Sequence, residues 1–191
     1  MVSGKRSIVD IINLVVDYLE EKEIDYVIVG GIAVIAWGRP RTTQDIYIIV
    51  DQQQLEIEDF TLFLRNNDFF AANYDLKMAF SEQSHATILD KKSLIRIDLV
   101  GIYTEDQQET LKHRRAQSLA GKTIYIDSPE SLIAHKLLFG SEQDFQDAIA
   151  VYVRNEEELN KNRLTTLICN LKVEDEFEKL KKEVESYQKR T

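Results

Sequence analysis

A glycine pair and an aspartate are the residues whose type and spacing suggest chemistry. Gly30 and Gly31 directly follow the short apolar run Tyr26–Val29, which predicts a buried strand. A glycine pair at the end of a strand lets the backbone turn sharply and lets a ligand approach it closely. Residues 32–37 predict a short apolar helix, whose first N–H groups would point at an anion, and Asp45 precedes the next predicted strand. This order predicts an anion site with a carboxylate opposite it to hold a metal ion.

A second aspartate lies inside a predicted strand. Residues 94–100 are rich in β-formers, and in an extended strand Arg96 and Asp98 would share one face. A carboxylate in the middle of a strand is costly if it is buried and unpaired. Asp98 therefore either faces water or lies beside a cation, and Arg96 is one such cation.

The stretch from residue 26 to residue 50 resembles the nucleotidyltransferase superfamily, specifically the minimal and toxin–antitoxin-type (AbiEii-like) proteins. Their signature is Gly-Gly-x-Ala, a Gly-x-x-Arg-x-Thr loop, and Asp-x-Asp on the next strand. The matching residues here are Gly30, Gly31, Ala33, Gly38, Arg41, Thr42 or Thr43, and Asp45. Tyr47 stands where that pattern has its second aspartate, a metal ligand, and a phenol with a pKa near ~10 does not normally replace a carboxylate at neutral pH.

The same resemblance extends along the chain. Asp98 matches the third carboxylate, which joins the Asp-x-Asp pair at the metal. A Pro-Glu-x-x-Ile-x-x-Lys segment followed by Asp-x-x-Asp matches Pro129, Glu130, Ile133, Lys136, Asp144 and Asp147. The resemblance implies that Lys136 faces the nucleotide phosphates and that Asp144 and Asp147 lie beside the active site. The alternative is a solvated helix face on which Lys136 pairs with a carboxylate.

The resemblance implies transfer of a nucleoside monophosphate from a nucleoside triphosphate to an unknown acceptor: RNA (such as tRNA), a protein or a small molecule. It implies one tightly held Mg²⁺ or Mn²⁺. Asp45 and Asp98 would be metal ligands and, with Lys136, catalytic; phosphate and nucleotide contacts would come from Gly30, Gly31, Arg41, Thr42, Thr43, Tyr47, Asp144 and Asp147. Because of Tyr47, two alternatives stay open: a degenerate protein that binds a nucleotide or RNA without transfer, and an interaction module that pairs with a partner protein or forms a homodimer.

The predicted fold class is α/β (α+β in stricter usage), with a small mixed sheet flanked by helices. We expect a core at residues 1–127 and a C-terminal helical subdomain at residues 128–191. Predicted strands include residues 26–29, 46–50 and 94–100, with 85–89 forming a hairpin with the last. Predicted helices include residues 7–22, 54–66, 104–120, 155–170 and 173–189, while residues 69–80 are expected to be short strands and a loop.

The amino-acid composition argues against several classes of protein. The net charge of −9 argues against broad, non-specific nucleic-acid binding, which needs clustered Lys and Arg. Cys169 is the only cysteine, so an intrachain disulfide is excluded, and its apolar neighbours predict a buried thiol. No apolar run reaches the ~18 residues of a membrane span. Residues 1–10 lack the apolar segment of a secretory signal, and we expect a cytoplasmic protein without membrane contact.

Overall fold

The computed structural model describes residues 5–188. Residues 1–4 and 189–191, which include the ends of both predicted domains and the last residue of the predicted helix 173–189, lie outside the described part. The chain divides into two compact units. The first comprises Met1–Ile32 and Thr42–Ile126, and the second comprises Ala33–Arg41 and Asp127–Thr191. The predicted domain boundary after residue 127 stays a prediction.

The first unit contains a mixed sheet with helices between its strands. In chain order its elements are α1 (Ile8–Glu21), β1 (Tyr26–Val29), the start of α2 (Gly31–Trp37), β2 (Asp45–Val50), α3 (Ile57–Asn66), β3 (Phe69–Phe70), α4 (Asn73–Ser81), β4 (His85–Asp90), β5 (Arg96–Val100), α5 (Glu105–Lys112), β6 (Arg115–Leu119) and β7 (Lys122–Ile126). Within residues 5–188 the seven strands are ordered β3-β4-β5-β2-β1-β7-β6. The predicted α/β fold class with a mixed sheet is confirmed.

Strand β2 lies at the centre of this sheet. It pairs in parallel with β5 and antiparallel with β1. A parallel pair needs a long crossover, and here α3 and α4 lie between β2 and β5 in the chain. Ile46 and Ile48 are fully buried, whereas Tyr47 between them is 38% exposed. The alternation along β2 therefore separates a core face from a partly exposed face that carries Asp45 and Tyr47.

Local sequence signals explain where several helices begin and end. Ser7 caps α1 through a capping box with Asp10. In the second unit, Ser128 caps the next helix, α6 (Pro129–Phe139), and Pro129 occupies its first position. Gly140 ends that helix in the left-handed conformation, with φ of 69°.

The second unit is helical apart from its connections. After α6 follow α7 (Glu142–Asn155), α8 (Lys161–Leu171) and α9 (Glu174–Gln188). Its core joins the part of α2 that belongs to this unit with α6 to α9, and it includes Ala33, Val34, Leu132, Ile133, Leu137, Ala148, Val151, Leu164, Ile168 and Leu180. A Cβ on Gly38 would lie 2.9 Å from the Cγ2 atom of Val151, so the chain after α2 packs closely on α7.

Several element predictions were wrong. Residues 104–120 are not one helix, because α5 ends at Lys112 and β6 pairs antiparallel with β7. Residues 73–81 form helix α4 and not a loop. The predicted helix at residues 155–170 starts later, at Lys161. Cys169 is exposed and is not a core thiol. Within the described part of the chain, none of the helices combines the length and the apolar character that crossing a membrane requires.

Candidate functional site

The two predicted metal ligands lie on neighbouring parallel strands of the first unit. In the register of β2 and β5, Asp45 is opposite Arg96 and Tyr47 is opposite Asp98. Partners in a parallel pair point to the same face of the sheet. The four side chains therefore share one face.

Arg96 connects the two aspartates. Its Nη2 atom lies 3.0 Å from Asp45 Oδ1, and its Nε atom lies 3.3 Å from Asp98 Oδ2. The charges of Asp98 and Asp45 raise the pKa of Arg96 above its usual value. The ion pair between Arg96 and Asp98, which the sequence left open as an alternative, is therefore present, and it extends to Asp45.

Asp98 is the most enclosed member of this group. Its side chain is only 3% exposed, whereas those of Asp45 and Arg96 are 35% and 44% exposed. Thr87 on β4 donates a hydrogen bond of 2.7 Å to Asp98 Oδ1. The cost of burying this carboxylate is thus offset by a cation on one oxygen and a hydroxyl on the other.

Tyr47 lies between the glycine turn and Asp98. Burial and then the negative charges of Asp98 and Asp45 raise the pKa of the Tyr47 phenol. Its ring is close to Gly30, since a Cβ on that glycine would lie 3.5 Å from Tyr47 Cδ2. The Tyr47 phenol is therefore neutral, and it does not supply the anionic oxygen of the second aspartate in the resembling proteins.

The glycine turn and the threonine loop flank these residues. Gly30 has a φ of 69°, a conformation that L side chains adopt only with strain, and α2 begins at the next residue. The hydroxyl of Thr43 donates to the carbonyl oxygen of Asp45 at 3.1 Å, which fixes the start of β2. Thr42 belongs to the same unit.

The donor set fits one divalent cation. Among residues 5–188, no group of three or more His, Cys, Asp or Glu side chains is placed to hold a metal ion. Asp45 and Asp98, however, direct one oxygen each at a single cationic group, the guanidinium of Arg96. Mg²⁺ is commonly held by one or two protein carboxylates, with water and substrate phosphates completing its shell. The two aspartates suit that coordination and not a three-carboxylate clamp.

A second charged cluster lies in the second unit, around the fully buried Asp147 on α7. Arg39 Nη2 lies 2.9 Å from Asp147 Oδ1, and Arg41 Nη1 lies 2.5 Å from Asp147 Oδ2. Both arginines follow α2 in the chain, so the two carboxylate oxygens hold the basic loop in place. Asp147 is therefore engaged by arginines on both oxygens.

Lys136 adds a third cation to this cluster. Its ammonium lies 2.5 Å from Asp144 Oδ1 and 3.5 Å from Asp147 Oδ2. Burial would raise the pKa of Asp144, but hydrogen bonds from Lys136 and Ser141 outweigh it and hold the pKa below its usual value. The pairing of Lys136 with a carboxylate, the alternative that the sequence allowed, is present.

Within each unit, the structure brings several of the predicted residues together. Gly30, Asp45, Tyr47 and Asp98 are neighbours in the first unit, and Arg41, Lys136, Asp144 and Asp147 are neighbours in the second. Sequence analysis missed Thr87 as the donor to Asp98 and missed the contact of Arg96 with Asp45. Both of these contacts depend on the register between neighbouring strands. The predicted hairpin of β4 and β5 was the only signal that could have indicated Thr87.

Comparison with known proteins identifies the fold. No family model matches the sequence, and no curated protein matches it. Solved structures do match: an antigenic nucleotidyltransferase-like protein from Paracoccidioides brasiliensis has a TM-score of 0.58 and 19% identity, over 90% of this chain and 90% of that chain. ANT(2")-Ia, in complex with adenylyl-2"-tobramycin, has a TM-score of 0.57 and 12% identity, over 86% of this chain and 96% of that chain.

A lincosamide antibiotic adenylyltransferase, LnuA with lincomycin bound, has a TM-score of 0.52 and 16% identity, over 78% of this chain and 98% of that chain. Identities this low establish a common fold and not a common substrate. The chain therefore has the nucleotidyltransferase fold.

Proposed function

We propose that this chain is a degenerate nucleotidyltransferase, which binds a nucleoside triphosphate with one Mg²⁺ or Mn²⁺ at Asp45 and Asp98 and transfers the nucleotide slowly or not at all. The observation that supports this most is that Asp45 and Asp98 both contact one cation, the Arg96 guanidinium. Tyr47 stands beside them where the resembling proteins have the second aspartate of Asp-x-Asp. The site thus keeps the features needed for binding and lacks one needed for rapid transfer.

The argument against rapid transfer is one of charge. Nucleotidyl transfer joins the α-phosphoryl group of the triphosphate to an acceptor hydroxyl and releases pyrophosphate. Paired metal ions in such sites stabilise both the attacking and the leaving oxygen, and each contributes several kcal/mol. Because about 1.4 kcal/mol corresponds to a factor of ten in rate, the loss of one ion costs orders of magnitude. Tyr47 removes the carboxylate that would be shared between two ions.

The argument for nucleotide binding rests on the glycine turn and the retained carboxylates. Gly30 and Gly31 are half-buried, and Gly30 lies beside Tyr47 on the face that carries Asp45 and Asp98. Glycines have no side chain that would keep a phosphate from the backbone. Two of the matched structures are described by adenylyl products or adenylyl transfer. An adenine nucleotide is therefore the first ligand to test.

A working nucleotidyltransferase is the second candidate, favoured by the retention of Asp45 and the enclosed Asp98. When bound, the single ion would neutralise phosphate charge. Before the ion binds, Arg96 holds both carboxylates, and the hydroxyl of Thr87 fixes Asp98 by its hydrogen bond. The acceptor in that case is RNA, a protein or a small molecule with a free hydroxyl.

Calorimetric titration with the four nucleoside triphosphates tests the proposal. Wild-type protein and Tyr47→Asp are titrated with Mg²⁺, with Mn²⁺ and with chelator, and Asp59→Asn, which changes an exposed carboxylate on α3, is the control. We expect wild type to bind in a metal-dependent manner and Asp45→Asn to lose that binding. Metal-independent or absent binding by both wild type and Tyr47→Asp would refute the proposal and favour a toxin–antitoxin-like interaction module.

Transfer itself is measured with α-labelled triphosphate and candidate acceptors. We expect Tyr47→Asp to increase the labelling rate, because it restores the second aspartate of the Asp-x-Asp pattern. Labelling by wild type at the rate of a fully active enzyme would establish the second candidate instead.

The phosphate role of Arg41 is a separate proposal that rests on the sequence resemblance. We expect Arg41→Ala to weaken the binding of triphosphate more than the binding of nucleoside, since an arginine that contacts phosphate adds little to nucleoside affinity. Equal losses for both ligands would remove Arg41 from that role. The same comparison with Lys136→Ala tests the lysine.

A further inference from the structure

We propose that Arg96 competes with the divalent cation for Asp45 and Asp98, so that the metal binds only when the guanidinium leaves. This inference rests on the proposed function in taking Asp45 and Asp98 as metal ligands. It adds a residue that sets metal affinity and couples it to nucleotide binding.

The competition follows from the atoms involved. Arg96 contacts Asp45 Oδ1 through Nη2 at 3.0 Å and Asp98 Oδ2 through Nε at 3.3 Å. Mg²⁺ binds carboxylate oxygens at about 2.0–2.1 Å and demands near-octahedral geometry. A guanidinium that holds these oxygens blocks the approach of the ion, and two cations at the same pair of carboxylates repel each other.

Arg96 is able to leave, whereas Asp98 needs a partner. The Arg96 side chain is 44% exposed, so it can swing into solvent without unpacking the core. Asp98 is 3% exposed, and a buried carboxylate without a cation or sufficient hydrogen bonds is strongly unfavourable. Exchange of guanidinium for metal ion keeps Asp98 neutralised in both states.

Once released, the Arg96 guanidinium can bind a phosphate group. With Arg96 in place, two aspartates and one arginine give the cluster a net charge of −1. Once an ion takes over the carboxylates, the guanidinium is available to a phosphate group, for which its fork of donors is suited. Ion and triphosphate then favour each other's binding, and this coupling must be reciprocal.

Mn²⁺ binding to nucleotide-free protein tests the competition. Free Mn²⁺ is followed by electron paramagnetic resonance during titration of wild type, Arg96→Gln and Arg115→Gln. The last is a matched control, since Arg115 is also an exposed arginine at the start of a strand. We expect Arg96→Gln to bind Mn²⁺ about tenfold more tightly than wild type, or better, and Arg115→Gln to match wild type.

The coupling is measured in the same titrations with ATP present. ATP should tighten Mn²⁺ binding of wild type by a larger factor than that of Arg96→Gln, because only wild type has the released guanidinium. Arg96→Lys keeps the positive charge but lacks the forked donors of a guanidinium. We expect its Mn²⁺ affinity to lie between those of wild type and Arg96→Gln. It also carries the test if Arg96→Gln does not fold.

Two outcomes separate the inference from the proposed function. If Asp45→Asn abolishes Mn²⁺ binding while Arg96→Gln binds no more tightly than wild type, the competition is refuted and the metal site remains. If Asp45→Asn changes the Mn²⁺ affinity neither of wild type nor of Arg96→Gln, the ion binds elsewhere and both proposals are refuted.

Discussion

Tyr47 and Asp98 lie opposite each other on the parallel strands β2 and β5, and burial together with the negative charge of Asp98 raises the pKa of the Tyr47 phenol. An aspartate at position 47 would face the negative charge of Asp98 directly, and like charges in such a pair are destabilising. The phenol removes that repulsion without a metal ion. Tyr47 thus stabilises the ion-free arrangement of this face at the expense of a metal ligand.

We expect Gly30 to contribute both to stability, through its backbone conformation, and to triphosphate affinity, and substitution can separate these two effects. We expect both Gly30→Ala and Gly121→Ala to lose about 1–2 kcal/mol of stability, because both glycines have a positive φ, of 69° and 85°. Only a Cβ at Gly30 would meet a neighbour, the ring of Tyr47, since nothing lies within 4 Å of one at Gly121. Chemical denaturation measures the stabilities, and calorimetry measures triphosphate affinity. We expect only Gly30→Ala to lose affinity, and equal losses in the two variants would contradict a ligand role for the turn.

Gly38→Ala tests close packing in the second unit. The added Cβ would lie 2.9 Å from Val151 Cγ2 and 3.1 Å from the carbonyl oxygen of Val34, which is too close for ordinary contact. We expect destabilisation of about 1–3 kcal/mol, as is typical of overpacking. In a double-mutant cycle with Val151→Ala, the combined loss should be smaller than the sum of the single losses. Additive losses would show that Val151 is not the obstacle.

Asp147→Asn tests the charged cluster of the second unit. Removal of the buried negative charge leaves Arg39 and Arg41 without the carboxylate that holds both. We expect a loss of about 3 kcal/mol in the free energy of unfolding. This value is at the lower end of the range for breaking a buried ion pair, because the Arg39 side chain is 41% exposed. Urea denaturation gives the value. Asp175→Asn, which changes an exposed carboxylate on α9, should have no such effect.

Asp127 should make stability depend on pH. Burial, only partly offset by the charge of His135 and by hydrogen bonds from Ser131 and Ser128, raises the pKa of Asp127 to about 6. The folded state then binds more protons than the unfolded state between about pH 4 and pH 6, so the free energy of unfolding falls as the pH rises through that window. A shift of this size corresponds to about 3 kcal/mol.

Asp127→Asn isolates that effect from other titrations, including that of Asp144, whose lowered pKa acts in the opposite direction. We expect the variant to gain stability relative to wild type as the pH rises from 4 to 7 and to keep a constant difference above that. Thermal unfolding across this range, with Asp175→Asn beside it, measures the difference. A difference that does not change with pH would mean that Asp127 does not titrate in the window.

Local signals were sufficient for much of the fold and for part of the candidate site. Ser7, Ser128 and Gly140 mark helix ends through hydrogen bonds and backbone conformations that involve only a few neighbouring residues. The alternation along β2 likewise predicts that Asp45 and Tyr47 share a face. The helix predicted at residues 104–120 failed because Arg115–Leu119 is an edge strand with β7 as its only partner within residues 5–188. Pairing with another strand outweighed the local propensity.

By itself, the sequence determined which residue types are available: a glycine turn, two aspartates on predicted strands, and a tyrosine where the resembling proteins have a carboxylate. Only the tertiary structure decided what these side chains contact. The register of β2 and β5 places Arg96 against both aspartates, and the fold of the second unit brings Asp147 to arginines more than a hundred residues earlier. Such contacts depend on the burial and pairing of whole elements, which spacing along the chain does not encode.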